Sequence, residues 1–269
     1  MRQGSLVSLL VAALVLAAAP FGAGAQNRPA RVGGKPNLNG IWQAMNTAYW
    51  NLEGHAATPL NDFWRLGSIG SIPAGQSVVK EGKIPYLPEA LAKRDENRAG
   101  WPKTDPEAKC YLPGIPRATY LPYPFQIVQG DGDILFSYAF AAANCAVHMT
   151  NHRKLDDVPV DMWMGWSNGH WEGDTLVVEV VANDDRTWLD RAGNYHSSAM
   201  KVTERYTPLD DNRLNYEATI DDPETFTKPW TLSMHLYKHT EPNAELLEYK
   251  CVEFSENLIY GEFLKNPPK

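Results

Sequence analysis

Several signatures that would name a chemistry are missing from this 269-residue chain. There is no phosphate-cradling Gly-rich loop ending in Gly-Lys-Ser/Thr and no dinucleotide fingerprint, which excludes the common nucleotide-dependent classes. Ser197 has no Gly-x-Ser-x-Gly pattern. Ser167 stands in one, Gly165-Trp166-Ser167-Asn168-Gly169, but in a run that reads as a turn feeding a β-strand and not as the strand-to-helix elbow of a hydrolase nucleophile. His148 and His152 stand four apart, as do His235 and His239, but neither pair has the flanking Glu of a metalloprotease motif. Cysteine is scarce: Cys110, Cys145 and Cys251, with no Cys-x-x-Cys, so a zinc-thiolate or redox-dithiol centre is not expected. We therefore expect no metal and no cofactor. Basic residues are also short, 25 Lys and Arg against 32 Asp and Glu, which disfavours nucleic acid and anionic membrane as partners. Beyond the N-terminus no apolar run is long enough to span a bilayer.

The apolar run that is there reads as an address. Arg2 is followed by a Leu, Val and Ala run from Leu6 to Ala19, and Ala23-Gly24-Ala25 supplies a small-x-small cleavage site. That predicts a signal peptide over 1–25, cleaved before Gln26, and a periplasmic or secreted protein. In such a compartment one disulfide is expected. Three pairings are possible; Cys110–Cys251 is preferred because it would tie the irregular N-terminal part to the last strand.

After a polar tail over 26–36, expected to be flexible, one β-barrel domain is expected over 37–269. Within it, residues 44–116 are rich in Pro and Gly and read as an irregular wrap or lid. They hold one helix candidate, Pro88 to Asn97, with Pro at its first position and good helix formers after it. Strands are predicted at Asn37–Gln43, Phe125–Gln129, Ile134–Phe140, Ala146–Thr150, Thr175–Ala182, Ala199–Tyr206, Arg213–Ile220, Trp230–Tyr237 and Glu245–Phe254. Gly165 to Asp174 reads as a Gly-punctuated turn, and Gly130-Asp131-Gly132-Asp133 as a hairpin turn. About nine strands in an antiparallel meander fit an all-β, lipocalin-like barrel, whose closure removes exposed edges. Period-two reading places Val202, Glu204 and Tyr206 on one face. Leu214, Tyr216, Ala218 and Ile220, and then Trp230, Leu232, Met234 and Leu236, do likewise in the next two strands.

Gly40-Ile41-Trp42 resembles the Gly-x-Trp signature of lipocalin-like barrels. A broader likeness runs through Lys109-Cys110-Tyr111-Leu112-Pro113-Gly114, Trp171-Glu172-Gly173-Asp174-Thr175-Leu176-Val177-Val178, Thr187-Trp188-Leu189-Asp190-Arg191-Ala192-Gly193 and Val202-Thr203-Glu204-Arg205-Tyr206. In these the chain resembles a widespread family of exported, largely uncharacterised bacterial proteins. The family pattern carries Glu, His and Arg after Ile134, where this chain reads Ala139, Ala142 and Cys145. The departure implies a lost or altered activity and a larger, more apolar cavity.

The densest polar cluster, Asp184 to Ser197, lies between two strands and so at a barrel mouth, where loops carry function. His196 is the one side chain there that exchanges protons near neutrality at its ordinary pKa, and Asp185 or Asp190 could orient it. The alternative is an Asp–Arg and His–Ser capping network. Glu204, on an otherwise apolar face, is a candidate general acid or base. Its alternative is an ion pair with Arg205, Arg117 or Arg213. The expected catalytic set is His196, Asp185 and Glu204. Arg205 and Tyr216 would stabilise developing negative charge. Trp188 and Trp230, with Trp163 and Tyr138, would hold a substrate body. The expected partner is a hydrophobic small molecule, aromatic or terpenoid-like. Two functions follow: a cofactor-independent lyase, isomerase or cyclase, or a non-catalytic carrier.

Overall fold

The computed structural model describes residues 30–60 and 65–263. The predicted signal peptide and the aromatic pair Phe63-Trp64 lie outside them. Nine strands form a closed barrel in sequence order. They are β1 (Gly40–Ala44), β2 (Phe125–Val128), β3 (Ile134–Tyr138), β4 (Asn144–His148), β5 (Trp166–Glu172), β6 (Thr175–Val181), β7 (Lys201–Asp210), β8 (Arg213–Asp221) and β9 (Trp230–Lys238). All neighbours are antiparallel except β4 and β5, which run parallel through Val147–Ser167 and His148–Asn168. A parallel pair needs a crossover, and residues 149–165 supply it.

Two strand assignments differ from expectation. Residues 166–172 are a strand, although their Ser-Asn-Gly content reads as a turn. Pairing on both flanks overrides that local preference. Gly169 is what lets β5 approach β4, because a Cβ there would lie 2.4 Å from Val147 Cγ1. The turn is Gly173-Asp174, with Gly173 at φ +59°. Conversely, residues 245–250 form no strand. The edge of β9 that they would need is already occupied. Residues Leu236 to Lys238 close the barrel onto β1, and the Val78–Lys80 segment covers the rest. There Lys80 N–H donates to the Thr231 carbonyl at 2.9 Å and Ser233 N–H to the Val78 carbonyl at 2.8 Å.

The inward faces follow the period-two reading: Val202, Glu204 and Tyr206 are buried, as are Leu214, Tyr216, Ala218 and Ile220. The barrel interior and the wrap share one apolar core, in which Ala48, Leu52, Val79, Ile84 and Ile115 pack with the strand residues. Helix α1 (Pro88–Gly100) starts as expected and runs three residues longer. Helix α2 (Arg117–Tyr120) is short and wholly buried. Of the tail expected over 26–36, the described part forms a two-stranded ribbon, Arg31–Val32 against Lys35–Pro36, and residues 26–29 lie outside the described residues. Arg31 pins the ribbon to Asp174 at 2.8 Å.

Candidate functional site

Glu204 is placed by register. It lies across from Val178 on β6 and Ala218 on β8, with Tyr206 opposite Tyr216 one layer along. Tyr216 donates its hydroxyl to Glu204 Oε1 at 2.7 Å, and Tyr206 donates to the same oxygen at 3.0 Å. From α2, Thr119 lies against the carboxyl and within 3.5 Å of the Tyr138 hydroxyl. Rings close around this cluster, with Tyr206 and Phe136 5.2 Å apart and Phe125 and Tyr138 5.3 Å apart. Burial disfavours the carboxylate more than the hydroxyl donors favour it, so the Glu204 pKa is pushed up to about 7. The same burial raises the phenols of Tyr138, Tyr206 and Tyr216 well above their usual range. At neutral pH the phenols therefore keep their protons while Glu204 can exchange its own. Cys145, the free cysteine, faces this interior beside Ser167 Oγ at 3.0 Å, and burial pushes its thiol up to about 12.

Above the carboxyl, α2 carries a second polar layer. Arg117 donates to both Asp105 oxygens at 2.8 Å and to Glu107 at 2.8 Å. Arg191 in turn grips Glu107 at 2.8 and 2.6 Å and lies 4.5 Å from the Trp50 ring. Burial pushes the Glu107 carboxyl up, but the Arg191 and Arg117 charges overcome it and hold the pKa at about 2. Two cations thus meet two carboxylates in a buried tetrad, the arrangement in which such charges are tolerated. Asp190 beside it accepts from the Leu52, Ala192 and Asn194 backbone N–H groups and from Asn194 Nδ2, which fixes the mouth loop.

The expected site residues fall into separate places. Glu204, Tyr216 and Tyr138 come together in the barrel, and Trp230 is buried on the same inward-facing surface. His196 is buried in the mouth loop with both ring nitrogens engaged: Nδ1 donates to the Ser197 carbonyl at 2.9 Å, and Nε2 meets Thr187 Oγ1 at 2.6 Å. Desolvation lowers its pKa, outweighing the Ser197 carbonyl and the nearby Asp222, so the ring is neutral at pH 7. Asp185 is exposed and not one of its hydrogen-bond partners. With Arg186 paired to Asp184 and Ser197 bound to Asp222, the loop has the geometry of a capping network. Arg205 points outward, as its odd position in β7 requires, and pairs with Glu172 at 2.7 Å. Trp188 is buried in the loop, bridged to Tyr195. Trp163 stacks on Tyr111 at 5.0 Å on the outside. Arg117 and Arg213, considered as partners of Glu204, pair instead with Asp105 and Asp210.

Sequence reading missed Thr119, Tyr206 and the Asp105–Glu107–Arg117–Arg191 tetrad. Tyr206 had a signal, since it shares the face of Glu204 two residues on. The tetrad had none, because its members are joined only by the fold.

No family model, curated protein or solved structure matches the chain. The fold and site themselves define its class: a closed nine-stranded barrel with an exchangeable carboxyl among phenols in its interior.

Proposed function

We propose that this is an exported barrel that handles a hydrophobic small molecule, and that Glu204 is its proton-exchanging group. The reading is carried by one observation: a buried carboxyl with a pKa of about 7, hydrogen-bonded to Tyr206 and Tyr216. A general acid or base works best with its pKa near the operating pH. Each phenol gives its one proton to Glu204, so either could stabilise an enolate-like oxygen only by turning from the carboxyl once Glu204 has itself taken a proton. Trp230 adds support, because its buried indole N–H has no acceptor. Such a donor costs about 1–3 kcal/mol when unsatisfied, and an oxygen on a bound ligand would satisfy it. The reaction class is a cofactor-independent lyase, isomerase or cyclase acting on an aromatic or terpenoid-like substrate. Export rests on the Arg2-to-Ala25 leader pattern and agrees with the Cys110–Cys251 disulfide. The likeness to exported bacterial proteins points the same way. Among the described residues no helix is long and apolar enough to cross a membrane.

A carrier is the second reading. What favours it is that the groups hydrogen-bonded to Glu204 are hydroxyls, whereas isomerisation commonly uses an acid and a base. Purified protein incubated with aromatic and isoprenoid candidates, then examined by mass spectrometry, separates the two. Converted product supports the enzyme, and a retained unchanged ligand supports the carrier. Neither outcome across the panel would overturn both.

A further inference from the structure

A small cavity lies outside the barrel, beneath the C-terminal segment that follows β9. It measures about 30 Å³, room for a single water, and Trp101, Tyr123, Phe140, Glu107, Arg191 and Tyr249 line it. Five of these belong to the body of the protein. The sixth, Tyr249, comes from a strap over residues 244–250 that forms neither strand nor helix and is largely exposed. The Tyr249 ring sits 4.5 Å from Tyr123 and 5.8 Å from Phe140, and its hydroxyl accepts from Tyr123 at 3.2 Å. Just beyond it, Cys251 is bonded to Cys110, 141 residues earlier. Phe254 N–H then donates to the Ala108 carbonyl at 3.0 Å. The strap is thus seated by one ring and tethered by one covalent bond.

We propose that the cradle of Trp101, Tyr123 and Phe140 is a binding site for phenolic rings, which Tyr249 fills in cis while the Cys110–Cys251 disulfide holds the strap shut. Three features carry the assignment. Tyr123 and Phe140 present rings at 4.5 and 5.8 Å from that of Tyr249, and Trp101 lines the adjoining cavity. The cradle supplies a hydroxyl donor, Tyr123, to the ring's oxygen. The Glu107–Arg191 pair at its edge offers polar contacts to a substituent. The tether makes Tyr249 an intramolecular competitor whose effective concentration lies in the millimolar range or above, so free phenols are outcompeted. A dithiol reductant removes the disulfide's share of that advantage and leaves Tyr249 tethered only through the backbone from β9. It donates two electrons, the sulfur–sulfur bond breaks, Cys110 and Cys251 become thiols, and the dithiol closes to its own disulfide. The site is separate from the barrel interior, and Glu204 plays no part in it.

The probe is p-cresol, titrated by NMR into the full chain with its disulfide intact, after dithiothreitol, and as Tyr249→Ala. Binding is expected to tighten at least about tenfold on reduction, and similarly in the oxidised Tyr249→Ala protein. Glu204→Gln should leave both results unchanged, which separates this site from the proposed function of the barrel. Reduced protein that stays folded and binds p-cresol no better than oxidised protein would overturn the proposal. So would p-cresol shifts mapping to the barrel interior in place of Tyr123 and Phe140. If reduction destabilises the fold, the oxidised Tyr249→Ala titration decides alone, and absence of binding there overturns the site.

Discussion

Glu204 and Glu107 are both buried glutamates, and their surroundings drive them in opposite directions. Glu204 meets only hydroxyls, so its pKa rises from 4.5 to about 7. Glu107 lies between two guanidinium groups, and its pKa falls to about 2. A raised carboxyl pKa destabilises the fold as pH climbs, because the unfolded chain ionises first. The loss begins near the unfolded value and is complete above about 7, where it amounts to roughly 3 kcal/mol. Glu204→Gln should therefore melt higher than wild type at pH 8, with the advantage vanishing by pH 4. Glu107→Gln should show the reverse. Its wild-type stabilisation is present above the unfolded value and fades as pH falls toward 2, so the variant should be most damaging near neutrality. Melting curves of both variants from pH 2 to 8 check the two signs, Glu204 between about 4.5 and 7 and Glu107 between about 4.5 and 2.

At the scale of elements, α2 carries both polar layers, with Thr119 turned to Glu204 and Arg117 to the tetrad. Arg117→Ala should cost about 3–5 kcal/mol, because Asp105 is left buried without its cation. Removing the charge as well, in Arg117→Ala with Asp105→Asn, should restore part of that loss, and a double-mutant cycle of these two substitutions by chemical denaturation measures it. The strands show what sequence could and could not reveal. In β7, β8 and β9 the alternation is clean because one face is core and the other is not, so spacing alone groups Glu204, Tyr216 and Trp230 with the apolar face, and the fold turns that face inward. In β5 the alternation is broken by Gly169, a residue chosen for close approach to Val147 and not for strand preference. The Leu246-Leu247-Glu248-Tyr249 run has strand composition but no free edge to join. The tetrad spans residues 105 to 191, so no local pattern announces it. His196 looked chemical for its residue type, but its ring holds the loop through Thr187 and the Ser197 carbonyl.

At the scale of the whole molecule, the barrel is sealed unevenly. Neighbours β7, β8 and β9 pair over most of their length, whereas β9 meets β1 at three positions, β1 meets β2 at three and β4 meets β5 at two. The Val78–Lys80 segment completes the seam of β9 with β1 from the wrap. Lys80→Pro removes the hydrogen bond to Thr231 and should speed amide exchange in the first half of β9, while β7 and β8 stay protected. Loosening confined to the seam would make it the natural entrance to the interior.

The central claim is that Glu204 exchanges protons with a molecule held in that interior. The most direct test takes a substrate found in the mass-spectrometric panel and follows turnover against pH for wild type and Glu204→Gln, with melting temperature measured alongside. The account predicts wild-type turnover controlled by a group titrating near pH 7. It also predicts a loss of about 10²–10⁴-fold in a folded Glu204→Gln variant. A folded variant that turns over substrate as fast as wild type, with the same pH profile, would contradict it.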